Sequence, residues 1–122
     1  MKERRILLVD DDRDIVETFQ SILKKAGFFV ETAMTGREAI DKARRSKFDL
    51  VLLDIKLPDI MGDMVASKIR EQDDEVSMIM ITGYPSFQKC IDSLDLGISE
   101  ILLKPISAGE LISVIVETIR AK

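Results

Sequence analysis

The sequence has no histidine and only one cysteine among its 122 residues. Without histidine, Ser-His and Cys-His catalysis are excluded, and carboxylates, Lys, Thr and a metal ion remain as candidate chemistry. Cys90 has no partner for an internal disulfide, and it lies among apolar residues in a helical pattern, where a buried thiol is the usual finding. No apolar run approaches the roughly 20 residues of a membrane-spanning helix. Met1 to Arg5 is basic, but Ile6 to Val9 is too short for the core of a signal peptide and meets three aspartates, so a cytoplasmic chain with no membrane partner is expected. Positive charge is in the minority as well. A net charge of -4 and a pI near 4.9 argue against direct nucleic-acid binding by this chain, because such binding draws on clustered Lys and Arg.

What is present describes one ordinary globular domain, taken as residues 1–122, with 46% apolar and 33% charged residues. A domain of this size buries roughly two thirds of the surface its unfolded chain exposes, enough for a core without disulfides. Short apolar runs alternate with helical patterns five times, the signature of a repeating βα domain with a parallel sheet. Ile6 to Val9, Leu50 to Leu53 and Met78 to Ile81 are continuously apolar, as expected of interior strands covered on both faces. Phe28 to Ala33 and Ile98 to Leu103 mix in polar residues and are expected at the edges. Helical spacing follows at Ile15, Phe19, Ile22 and Leu23, with Gly27 as the stop. Thr35 with Glu38, and Ser107 with Glu110, have the spacing of capping boxes, while Pro85 opens a fourth helical pattern through Phe87, Cys90, Ile91 and Leu94.

In an open parallel sheet a ligand site lies beyond the carboxyl ends of the strands, where the strand order reverses. The first strand ends in Asp10, Asp11 and Asp12, the third in Asp54, the fourth in Thr82, and the fifth in Lys104 and Pro105. Polar groups that act together must come from neighbouring strands, so strands one, three, four and five should adjoin, with the second at an edge. That is the order 2-1-3-4-5 of a flavodoxin-like, three-layer (βα)₅ sandwich. Right-handed crossovers then put helices one and five on one face and two, three and four on the other.

Two carboxylates about 4 Å apart repel by roughly 4 kcal/mol at an effective dielectric near 20, so packed acids demand compensation that Lys104 alone does not provide. A hard divalent cation supplies it. Mg²⁺ is favoured because it binds through one or two carboxylates, waters and phosphate oxygens; Mn²⁺ is an admissible substitute. Asp54 is then free to act as a nucleophile toward a phosphoryl group, giving an aspartyl phosphate, with the Thr82 hydroxyl and Lys104 ammonium on its oxygens. Asp12 or Asp14 is better explained as a helix N-cap.

The runs Ile6 to Asp12 and Leu50 to Pro58, with Gly62, Ile81-Thr82-Gly83 and Leu103-Lys104-Pro105, make the sequence closely resemble the receiver domain of two-component response regulators over essentially its whole length. The resemblance implies a signalling switch rather than a turnover enzyme: it catalyses its own phosphoryl transfer from a phosphohistidine of a sensor histidine kinase or phosphotransfer protein to Asp54, and its own dephosphorylation. It implies that Asp11, Asp54 and the Lys56 carbonyl hold Mg²⁺, with Asp10 acting through water, and that Thr82 and Lys104 contact the phosphoryl group. It further implies a cis Lys104-Pro105 bond, and an output surface of the fourth helix, fifth strand and fifth helix that acts on a downstream protein or output domain, with a homodimer on phosphorylation also open. Lys56 and Tyr84 stand where the family borders the path of the hydrolytic water. Ile101 stands where the family often has Tyr or Phe. The chain ends soon after the fifth helical pattern, and no output domain is expected within it.

Two other readings compete. In a haloacid-dehalogenase-type phosphatase Asp10 would attack and Asp12 act as the acid, which leaves Asp54 without a role. A degenerate receiver serving only as an interaction module would not need the full set of Asp10, Asp11, Asp54, Thr82 and Lys104.

Overall fold

Continuous runs of Leu, Ile, Val and Met can be buried on both faces only in the middle of a layered sheet, and that is where the chain puts them. The structure, a computed structural model, describes residues 3–86 and 96–121. The strands are β1 (Arg5–Val9), β2 (Phe29–Ala33), β3 (Leu50–Asp54), β4 (Ser77–Thr82) and β5 (Glu100–Leu103), all parallel in the order β2-β1-β3-β4-β5. β3 and β4 are buried throughout, whereas the edge strands β2 and β5 carry exposed residues. The expected order and edges are therefore observed.

Helices α1 (Arg13–Lys25), α2 (Gly36–Arg45) and α3 (Gly62–Gln72) follow the first three strands, and a C-terminal helix spans Ala108–Arg120. The fourth helical pattern and Cys90 lie outside the described residues. Alternation along the strands divides the core in two. Leu7, Val51 and Met78 face Ala39 of α2 and Val65 and Ile69 of α3. Leu8, Leu52 and Ile79 face Phe19 and Leu23 of α1 and Leu111 and Ile115 of the C-terminal helix. This is the distribution that right-handed crossovers require.

Local signals set the helix ends. The Asp12 carboxylate accepts the Asp14 and Ile15 N–H groups at 3.0 and 3.3 Å and caps α1. Gly27 closes the turn after α1 at φ +99°, a conformation that favours glycine. Thr35 and Ser107 accept the N–H groups of Glu38 and Glu110, each at 3.1 Å. In the first box the Glu38 carboxylate returns to the Met34 N–H at 2.8 Å, one residue ahead of the cap.

β5 starts two residues later than expected. Arg70 accounts for this: its guanidinium donates to the carbonyls of Val76 (2.7 Å), Leu96 (3.1 Å) and Gly97 (3.2 Å), which holds the approach to β5 as a loop with Gly97 at φ +69°.

Candidate functional site

Register decides which strand ends meet. Val9 lies opposite Ala33 and Leu53, Asp54 opposite Ile81, and Thr82 opposite Leu103, so the residues that close β1, β3, β4 and β5 share one edge of the sheet. Asp10, just past β1, is fixed by its N–H donating to the Ala33 carbonyl at 3.1 Å. Its carboxylate accepts the Asp12 N–H at 2.9 Å on one oxygen and Lys104 Nζ at 3.0 Å on the other. Asp54 mirrors it, accepting the Lys56 N–H at 3.2 Å and Lys104 Nζ at 3.1 Å. The ammonium thus bridges two carboxylates that are 3% and 7% exposed as residues.

Asp11 is exposed, yet one carboxylate oxygen from each of Asp10, Asp11 and Asp54 lies within 4.8 Å of the others. Burial, and after it the Asp10 charge, raises the Asp54 pKa against the opposing pull of Lys104. Burial works to lower the Lys104 pKa, but the hydrogen bond and charge of Asp10, with those of Asp54, outweigh it and hold the lysine above its ordinary range. Three carboxylates facing one ammonium make an oxygen-rich, negatively charged group that suits a hard divalent cation.

Thr82 is fully buried, and its hydroxyl accepts the Tyr84 N–H at 3.0 Å. Its carbonyl accepts the Lys104 N–H at 2.8 Å, which ties the ends of β4 and β5 together. The Lys104-Pro105 peptide bond is cis. Asp11, Asp54, Lys56, Tyr84 and Lys104 line an open cavity of about 590 Å³, and Lys56 Nζ lies 4.7 Å from the centre of the Tyr84 ring at its rim. Ile101 is partly buried against the core on the α2–α3 side of the sheet.

Two residues hold the β3–α3 loop, one noticed in the sequence only as part of a motif and one that the sequence did not single out. Gly62 donates its N–H to the Ile55 carbonyl, and a Cβ there would lie 2.6 Å from both the Asp54 carbonyl oxygen and Ile55 Cα. Gly62→Ala is therefore expected to destabilise the fold by roughly 1–3 kcal/mol, the range for forcing a methyl group into packed space. Urea unfolding checks this, and an unchanged midpoint would count against the close approach. Asp59 is the second residue, reaching back to α2. No local pattern marks it, since its hydrogen-bond partners lie 23 and 22 positions earlier.

The family model of the response regulator receiver domain matches residues 6–116. The chain is 32% identical over 109 residues to the transcriptional regulatory protein PrrA of Mycobacterium leprae, a match covering 89% of this chain and 47% of PrrA. It thus spans about half the length of the curated relatives it matches. Among solved structures, the CheY-like receiver domain protein of Methanospirillum hungatei JF-1 superposes with a TM-score of 0.93 at 35% identity, over 98% of this chain and 96% of that one. The response regulator TrrA of Thermotoga maritima, solved with Mg²⁺-BeF, gives a TM-score of 0.86 at 32% identity, over 94% and 98% of the two chains. A match that begins in the first strand and runs into the last helix leaves no part of the fold unaccounted for, and the chain belongs to the response regulator receiver domain family.

Proposed function

We propose that this chain is a phosphorylation-operated switch in which Asp54 accepts a phosphoryl group from the phosphohistidine of a sensor histidine kinase or phosphotransfer protein. The observation that carries the reading is the Asp54 carboxylate itself, buried at a strand end, bonded to Lys104 and within reach of Asp10 and Asp11. In this mechanism an Asp54 oxygen attacks phosphorus, the P–N bond breaks, and its electron pair leaves with the imidazole nitrogen. Lys104 pairs with one oxygen of the transferred group and Thr82 donates its hydroxyl to another. Asp10, Asp11, Asp54 and the Lys56 carbonyl would hold Mg²⁺, which supplies neutralisation of the charge developing on the phosphoryl oxygens. The magnesium-beryllofluoride complex of TrrA supports such a metal and phosphoryl pair on this fold.

The output is assigned to the surface around β5 and the C-terminal helix, acting on a downstream protein or output domain. Several relatives are transcriptional regulators of about twice the matched length, so the absence of a nucleic-acid partner is proposed for these 122 residues alone. No described helix is long and apolar enough to cross a membrane, and a cytoplasmic location is part of the same proposal.

Mass spectrometry after incubation with acetyl phosphate and Mg²⁺ tests the acceptor. One phosphoryl group is expected on the wild-type chain and none on Asp54→Asn. Modification that persists in Asp54→Asn and vanishes in Asp10→Asn would instead support the dehalogenase-type phosphatase.

A further inference from the structure

Asp59 sits in the loop of residues 55–61, between the proposed acceptor and α3. One of its carboxylate oxygens accepts the Gly36 N–H at 2.8 Å and the other accepts the Arg37 N–H at 3.0 Å. These are the first two residues of α2, whose N–H groups have no partner within the helix and carry the positive end of its dipole. The docking is close, since a Cβ on Gly36 would lie 2.8 Å from Val65 Cγ2 and 3.2 Å from Ile60 Cβ. The bond from Gly36, followed by that from Arg37, holds the Asp59 carboxyl below the ordinary carboxylate range, so it stays ionised at neutral pH.

α2 already has a cap of its own in Thr35, which takes the Glu38 N–H. The loop is in greater need of the contact. Its other restraints lie near its first residues or at its exit: the Lys56 N–H on Asp54, the buried Ile55 and Leu57, and the Gly62 N–H on the Ile55 carbonyl. Asp59, beside the packing of Ile60 near Gly36, ties the loop to a different βα unit, and it does so through hydrogen bonds.

We propose that Asp59 is a positioning residue for the metal: by gripping the start of α2 it fixes the loop that carries Lys56, and with it the oxygen set offered to Mg²⁺. The inference rests on the reading of the site given under Proposed function. Groups that orient ligands in this way commonly account for about tenfold or more in metal affinity.

Isothermal titration of the chain with Mg²⁺ provides the test, with a melting curve for each variant to separate loss of fold from loss of metal. Asp59→Ala is expected to weaken Mg²⁺ binding about tenfold. Asp59→Asn recovers only part of it, because the single amide oxygen accepts from one of the two N–H groups while the amide NH₂ turns a donor toward the other. Thr35→Ala, which removes a cap from the same helix without touching the loop, leaves the affinity unchanged. Wild-type affinity in Asp59→Ala, or equal weakening in Thr35→Ala, would overturn the positioning role while the site reading stands. A wild-type chain that binds no Mg²⁺ overturns both.

Discussion

Lys104→Met is expected to lower the stability of the metal-free protein by about 3 kcal/mol, close to a 12 °C fall in melting temperature for a domain of this size. The methionine keeps the length of the apolar stem, so the loss comes from the ammonium. Removing one partner of a buried ion pair leaves the other uncompensated, at a cost of roughly 3–5 kcal/mol; the lower figure applies because the Lys104 side chain keeps 23% of its exposure. Asp10 and Asp54 would then face each other without the shared cation that both now contact. Thermal unfolding in chelator measures the loss, and adding Mg²⁺ should return part of it, since a divalent cation answers the same charge. A variant that melts with the wild type in chelator would show that the pair contributes nothing.

The second large effect concerns the wild-type chain. Mg²⁺ at about a hundred times its dissociation constant should add about 2.7 kcal/mol, or about 10 °C in melting temperature. Asp11→Asn should lose most of this gain while changing the metal-free protein little, because Asp11 is the exposed member of the acid group. The pH dependence has a definite sign. Asp54 has its folded pKa raised above the unfolded value, so its charged form costs stability above that folded pKa and the cost fades as pH falls toward the unfolded value of 3.8. The stabilisation by Mg²⁺ should accordingly shrink on acidification, since the proposed site needs Asp54 ionised to hold the ion. Equal shifts in wild type and Asp11→Asn would argue that the ion acts elsewhere.

Much of this was legible in the sequence because burial on both faces leaves an interior strand nothing but apolar residues, and the first charged residue after it then marks the strand end. Asp10 and Asp54 were found that way, Thr82 as the first polar residue after an equally apolar run, and Lys104 by its place at the end of a mixed edge strand. The strand order followed from requiring those ends to adjoin, and the hydrogen-bonded sheet has that order. Asp12 was read as a helix cap, and it is one.

Other features depend on contacts that no local pattern encodes. Glu38 bonds to the Met34 N–H, one residue ahead of the Thr35 cap that the idealised box would pair it with. Arg70 delays β5 by holding carbonyls 26 and 27 positions away. Asp59 looks like any acid in a turn until α2 is in place. Gly62 was noticed as part of a motif, but its physical reason is the backbone it would collide with if it carried a side chain.

The Asp10–Lys104 bond joins residues 94 positions apart, and the Asp54–Lys104 bond joins residues 50 apart. A ribosome therefore delivers the acids well before the base that steadies them. Until β5 docks beside β4, the first three strands would bring Asp10 and Asp54 together with no lysine between them, which penalises the partly assembled sheet. The last strand thus completes the charge balance as well as the edge of the sheet.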